Sequence, residues 1–264
     1  MKIICSIHCL VFLAVLAASG VRAENADAGT DEAKKPAPPP PREYATAMER
    51  LEPLSIIGGG SDVSPCDSSA NQSKDYAEAV GYAESMGSYS LIIWKDGRCQ
   101  VERYFAPFDR DIRPESASMH KSVVGILVAA AIADGYIDGP DARIGDYIEE
   151  WHDDERGDIT WRQLLTMSSG LMPFSREGGM ASESMRYILG PEDVRAATLA
   201  RPLAQTPGTV FHYLSFNSQV LLIALESATG MEYVDYASER LWQPLDAADA
   251  YVWDYTGKSR MPRA

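Results

Sequence analysis

Ser118 and Lys121 stand three residues apart where a polar segment, Pro114-Glu115-Ser116-Ala117, gives way to an apolar run from Val123 to Ala133. On a helix that spacing sets hydroxyl and amine on one face. A serine hydroxyl is a weak nucleophile until a base takes its proton, and a lysine is such a base only when its amine is neutral. Burial favours the neutral amine. The positive end of a helix macrodipole disfavours the ammonium further and favours an oxyanion on the serine. The chemistry this pair suits is acyl transfer, with Ser118 as nucleophile and Lys121 as base. A chance Ser-x-x-Lys is expected about once in a chain this long, and this chain holds one. The bland alternative makes Ser118 a helix cap and Lys121 a solvated side chain. The apolar continuation argues against it, because a surface lysine does not normally open a buried helix.

A second polar group follows the turn Pro207-Gly208-Thr209: Tyr213, Ser215 and Asn217, on an extended piece that runs into a helix. Loops held between rigid elements are where catalytic groups tend to sit. A tyrosine hydroxyl beside a Ser and Lys pair can relay a proton to a leaving group, whereas an isolated tyrosine more often packs its ring and bonds its hydroxyl to backbone. His120, His152 and His212 invite a Ser-His-Asp arrangement instead. His120 lies two residues from Ser118, on another helix face, and the chain has no Gly-x-Ser-x-Gly elbow. Scattered histidines and two distant cysteines, Cys66 and Cys99, do not supply a clustered metal site, so neither metal nor cofactor is implied.

The elements that must position these groups can be read around them. An all-round apolar helix is one buried in a domain; this one begins near Ser118 and is expected to end at Gly135. Tyr89–Trp94 and Cys99–Phe105, joined through Asp96-Gly97, read as a β-hairpin. Helices are expected over Tyr44–Leu54, over 74–86, over Ile159–Met167 with Thr160 as cap, over 191–200 with Pro191 at the first position, over Ser218–Thr229 up to Gly230, and over Tyr233–Leu241. Asp138–Trp151 reads as turns. Gly58-Gly59-Gly60 lacks the strand, helix and Lys of a phosphate loop and reads as flexible linker.

Lys2, the apolar run Ile3–Ala18 and Val21-Arg22-Ala23 make a secretory leader, with cleavage expected after Ala23; the run is too short for a membrane anchor. Residues 24–42, with the Pro36–Pro41 cluster, read as a disordered tether, leaving 43–264 as one domain. A periplasmic or secreted protein is expected, with no membrane span in the mature chain. The chain has 264 residues and a net charge of −14. Losing Lys2 and Arg22 with the leader leaves 22 basic against 38 acidic residues, a balance of −16. Such acidity makes nucleic acid an unsuitable partner and leaves a small molecule as the expected substrate; oligomeric state is not encoded legibly. Cys5 and Cys9 leave with the leader. Cys66 and Cys99 either pair across the loop before the hairpin or stay reduced.

Read in order, Ser118-Met119-His120-Lys121, Asp134-Gly135-Tyr136-Ile137, Ile159-Thr160 with Leu164–Leu171, Pro207-Gly208-Thr209 with Phe211-His212-Tyr213, Thr229-Gly230, and Leu241–Leu245 resemble the serine β-lactamase and penicillin-binding-protein-like hydrolases. The likeness is to the class C β-lactamase-related branch, which includes esterases and 6-aminohexanoate-dimer hydrolases, and it covers roughly residues 85–255. The resemblance implies an α+β fold with a helical region and an antiparallel sheet. It implies an acyl-enzyme on Ser118, proton abstraction by Lys121 and proton relay by Tyr213. Ser215 stands where many relatives have Asn, a Tyr-x-Ser pattern closer to the nylon-oligomer hydrolases than to β-lactamases; Asn217 is a substitute by reach, at a position where the family pattern places none. The third motif of the family, Lys-Thr-Gly or His-x-Gly, is not matched before Ala264; Tyr255-Thr256-Gly257-Lys258 reads as a turn. The expectation is therefore an incomplete catalytic domain lacking C-terminal sheet strands. Its function is an exported hydrolase of amide, ester or β-lactam, or, alternatively, a non-catalytic remnant or binding protein of the same fold.

Overall fold

The computed structural model describes residues 54–60, 76–110, 116–175, 183, 187, 193–256 and 260–262. The leader, the tether, most of the helix expected from Tyr44, and Cys66 lie outside them. In chain order the elements are strand β1 (Leu54–Ile57), helix α1 (Ala77–Ser85), strands β2 (Ser90–Lys95) and β3 (Arg98–Tyr104), helices α2 (His120–Ala133), α3 (Trp161–Leu165), α4 (Val194–Leu199), α5 (Ser215–Thr229) and α6 (Tyr233–Ala237), and strands β4 (Ala250–Thr256) and β5 (Arg260–Pro262). They fall into two compact units, whose described residues are 76–110 in the first and 54–60 with those from 116 onward in the second.

The first unit holds α1 and the β2–β3 hairpin. Asp96 and Gly97 both have positive φ, 51° and 72°, the two-residue turn whose twist matches that of paired strands. Register slips between Ile93 and Trp94, where one residue bulges. Among the described residues the hairpin is a sheet of two strands.

The second unit is built on two helices. Along α2, Val124, Leu127, Val128 and Ala131 are fully buried. Along α5, every residue from Phe216 to Leu225 is buried, and α5 packs against α2, α3, α4 and α6. Each such Val or Leu contributes about 1.5–3 kcal/mol by leaving water, which is why these two segments sit centrally. Both helices stop at a glycine in the left-handed region: Gly135, φ 82°, after α2 and Gly230, φ 69°, after α5. The α2 terminus is also tied down, because Arg240 donates to both Asp134 carboxylate oxygens at 2.7 and 2.6 Å and the Tyr236 hydroxyl donates at 3.1 Å. Burial first, then Asp134, pushes the Tyr236 phenol up to about 12.

Helix α3 opens with a capping box in which Gln163 N donates to Thr160 Oγ1 at 3.2 Å and Thr160 N donates to Gln163 Oε1 at 2.9 Å. Several expectations are corrected. Asp193, not Pro191, marks the start of α4: its carboxylate accepts from Ala196 N at 2.9 Å as the N-cap. Helix α5 begins at Ser215 rather than Ser218. Leu54 lies on a strand, and α6 gives way to a π-helical turn over Ser238–Trp242.

The same unit carries an antiparallel sheet of order β1-β4-β5 that the sequence reading did not foresee. Tyr255 and Thr256 belong to β4, not to a turn, and Thr256 pairs with Arg260 across the β4–β5 connection. Nor are the glycines after β1 a free linker. Gly58 N donates to Ser238 Oγ, Gly59 N to Asp249 Oδ1 and Gly60 N to Ala247 O, at 2.8, 2.9 and 2.8 Å. A Cβ on Gly59 would stand 1.8 Å from the Ala247 carbonyl oxygen, so close backbone approach is what requires glycine there.

Candidate active site

Ser118 sits in a 3-10 turn, Ala117–Met119, that runs directly into α2. Lys121, three residues on, lies in the first turn of α2, a spacing that puts both side chains on one face. Ala117 enters the turn with φ 44°. That is a left-handed conformation costing a non-glycine residue on the order of 1 kcal/mol, and such strain concentrates where a side chain is presented for chemistry. Ser118 is exposed and Lys121 half-buried. Desolvation holds the Lys121 amine below the usual lysine range, and among the described residues no carboxylate pairs with it. The turn therefore offers an accessible hydroxyl three residues before an amine that gives up its proton more readily than a solvated lysine.

Tyr213 faces Lys121, whose Nζ lies 5.9 Å from the centre of its ring, within cation–π range. Its own ring is 54% exposed, so it is not a core tyrosine. What fixes it is the backbone around it. The loop after α3 runs beside the segment 203–212, with Ala204 N donating to Gly170 O at 2.8 Å, Gly208 N to Ser168 O at 2.7 Å and His212 N to Met167 O at 2.7 Å. A Cβ on Gly170, φ 76°, would stand 2.2 Å from Gln205 O, so the pairing depends on glycine. The Met167–Leu171 stretch thus serves as a rail for the segment that delivers Tyr213.

The other two candidates, Ser215 and Asn217, lie in the first turn of α5. Ser215, half-buried, is the first residue of α5, and among the described residues no hydrogen bond joins it to Ser118, Lys121 or Tyr213. Asn217, expected to reach substrate, is fully buried. Because α5 begins three residues earlier than expected, Asn217 lies in its first turn facing the core, where its amide donates to Met167 Sδ at 3.3 Å and its carbonyl accepts from Ser169 Oγ at 2.5 Å.

The histidines do not form a triad. His120 Nε2 and the buried Tyr233 hydroxyl share a hydrogen bond of 2.6 Å, ring edge to ring face at 5.4 Å. Burial pushes the Tyr233 phenol far up, so it stays neutral. This bond ties the first residue of α2 to α6. Sequence reading placed His120 only as a rejected base, and nothing in the spacing of 113 residues pointed to Tyr233. His152 Nδ1 lies 3.2 Å from Gly145 O. No group of three or more metal-ligating side chains occurs among the described residues, and none of their helices is long and apolar enough to cross a membrane.

A family model described as Beta-lactamase matches residues 74–260. Among curated proteins, Protein flp of Staphylococcus aureus (strain MW2) is 23% identical over 168 residues, 59% of this chain and 33% of that protein. Among solved structures, a Bacillus anthracis protein provisionally named 6-aminohexanoate-dimer hydrolase superposes with a TM-score of 0.67 at 17% identity, covering 84% of this chain and 63% of the other. FmtA from Staphylococcus aureus gives 0.52 at 17% identity, covering 77% and 55%. The chain thus spans about a third of the curated relative's length and under two thirds of the first of these structures. At such identities the likeness is one of fold.

Proposed function

Since this chain belongs to the Beta-lactamase family, with the helices and small antiparallel sheets of that hydrolase fold, we propose that it is an exported serine hydrolase that cleaves an amide, ester or β-lactam through an acyl-enzyme on Ser118. The observation that carries the reading is the Lys121 amine, held neutral more readily by desolvation, one turn from an exposed serine and facing Tyr213. Lys121 Nζ takes the Ser118 proton as Oγ bonds to the substrate carbonyl carbon. The oxyanion forms against the amide N–H of Ser118. As the tetrahedral adduct collapses, the C–N or C–O bond breaks and the proton passes from Lys121 through the Tyr213 hydroxyl to the leaving group. Water then adds to the acyl carbon, giving its proton back to the base, and Ser118 is released with the acid.

Export rests on the leader and on one structural fact. Cys99 is disulfide-bonded, its partner outside the described residues, and disulfides persist in oxidising compartments. The purified chain is expected to turn over at least one of p-nitrophenyl acetate, a linear amide and a penicillin, and Ser118→Ala is expected to lose that turnover by at least about 100-fold. Equal turnover by the variant, or binding of these compounds without any turnover, would show the reading wrong and favour a binding protein of the same fold.

A further inference from the structure

Tyr213 is exposed and is held by no hydrogen bond of its own side chain among the described residues, yet proton relay requires it at a fixed place. The geometry points to half-buried Met167 with buried Ser169 and Asn217 as a clamp that positions Tyr213 for the reaction; the inference rests on the acyl-serine reading above. Met167 is the centre of it. Its backbone sits at φ 57°, a conformation unfavourable for a residue with a Cβ, which the surroundings must therefore impose. In that conformation its carbonyl oxygen accepts from His212 N, one residue before Tyr213, and its sulfur accepts from Asn217 Nδ2, four residues after. One residue thus grips the chain on both sides of Tyr213.

Ser169 completes the clamp. Its hydroxyl is 1% exposed, donates to Asn217 Oδ1 at 2.5 Å and accepts from Leu171 N at 3.3 Å. Asn217, at 0% exposure, has both its carbonyl and its amide engaged. A buried amide left half-satisfied is costly, so its partners are fixed in place together, and the extended piece from Phe211 to Leu214 has little freedom between its two anchors. None of the three side chains is required to touch substrate. They are positioning residues, and small displacements of a catalytic group are expensive, about a hundredfold for 1 Å.

Two variants loosen the clamp differently: Asn217→Ala removes both bonds, while Ser169→Ala removes only the hydroxyl. Hydrogen exchange reads the positioning without any substrate. The His212 amide is expected to exchange at least about tenfold faster in either variant, with the amides of α2 unchanged. Kinetics reads the consequence. p-Nitrophenolate departs without a proton and an anilide does not, so hydrolysis of acetanilide is expected to fall about 10- to 100-fold while that of p-nitrophenyl acetate falls less than about threefold. Combining Asn217→Ala with Tyr213→Phe is expected to be no slower than Tyr213→Phe alone. Unchanged exchange at His212 would overturn the clamp, as would equal losses on both substrates or losses that multiply in the double variant. A wild-type chain that hydrolyses neither compound would count against the acyl-serine reading, while the exchange result would still decide the clamp.

Discussion

Lys121 carries the sharpest consequence at the scale of single residues. Desolvation holds its amine below the ordinary lysine range, so the neutral base forms at a lower pH than it would in water. Acylation of Ser118 is expected to rise with pH as Lys121 loses its proton and to level off above its lowered pKa. Lys121→Arg, whose guanidinium stays charged, is expected to lose about 10²- to 10⁴-fold at every pH. Rates of inactivation by a fluorophosphonate across neutral and alkaline pH measure both; a flat profile, or an arginine variant as fast as the lysine, would contradict the assignment. Tyr213→Phe is expected to slow substrates with poor leaving groups by a similar factor. The spacing of Ser118 and Lys121 was legible in the sequence because it is local, three residues apart where the 3-10 turn runs into α2. Asn217 was not. Its side chain changes from solvent-facing to core-facing according to where α5 begins, and that start is fixed by partners at Met167 and Ser169, some 50 residues away.

Contacts distant in sequence dominate at the scale of elements. The rail formed by Met167–Leu171 depends on Gly170, whose φ of 76° and near contact with Gln205 O leave no room for a side chain. Gly170→Ala is expected to cost more than about 1 kcal/mol and to lower Tm by at least about 2–4 °C; an unchanged melting curve would show the rail to be dispensable. The bond between His120 and Tyr233 ties the head of α2 to α6, and Tyr233→Phe is expected to cost about 1 kcal/mol, read in the same melting experiment. The α2 helix, its stop at Gly135, the hairpin turn and the Thr160 cap were all legible, since periodicity and capping residues are local signals. The β1-β4-β5 sheet was missed although Tyr251-Val252-Trp253 and Tyr255 are strand-forming types. Tyr251, Val252 and Trp253 pair with β1, almost 200 residues earlier, so that pairing left no pattern in the sequence, while Tyr255 pairs with Met261 in β5. The packing of Gly59 on Ala247 was hidden for the same reason.

A net charge of −14 disfavours binding to polyanions, and the proposed export rests on the apolar run at Ile3–Ala18. Cys99 is disulfide-bonded, and pairing with Cys66 predicts no free thiol when the mature protein is unfolded without reductant; two titratable thiols would contradict it. The central claim is that the molecule is a serine hydrolase acylated on Ser118. It is tested most directly by incubating the intact chain with a fluorophosphonate and mapping the adduct by mass spectrometry. The account predicts one adduct, on the peptide containing Ser118-Met119-His120-Lys121, absent from Ser118→Ala and slowed in Lys121→Arg. An adduct that persists unchanged in Ser118→Ala, or no adduct on the folded wild-type chain, would contradict it.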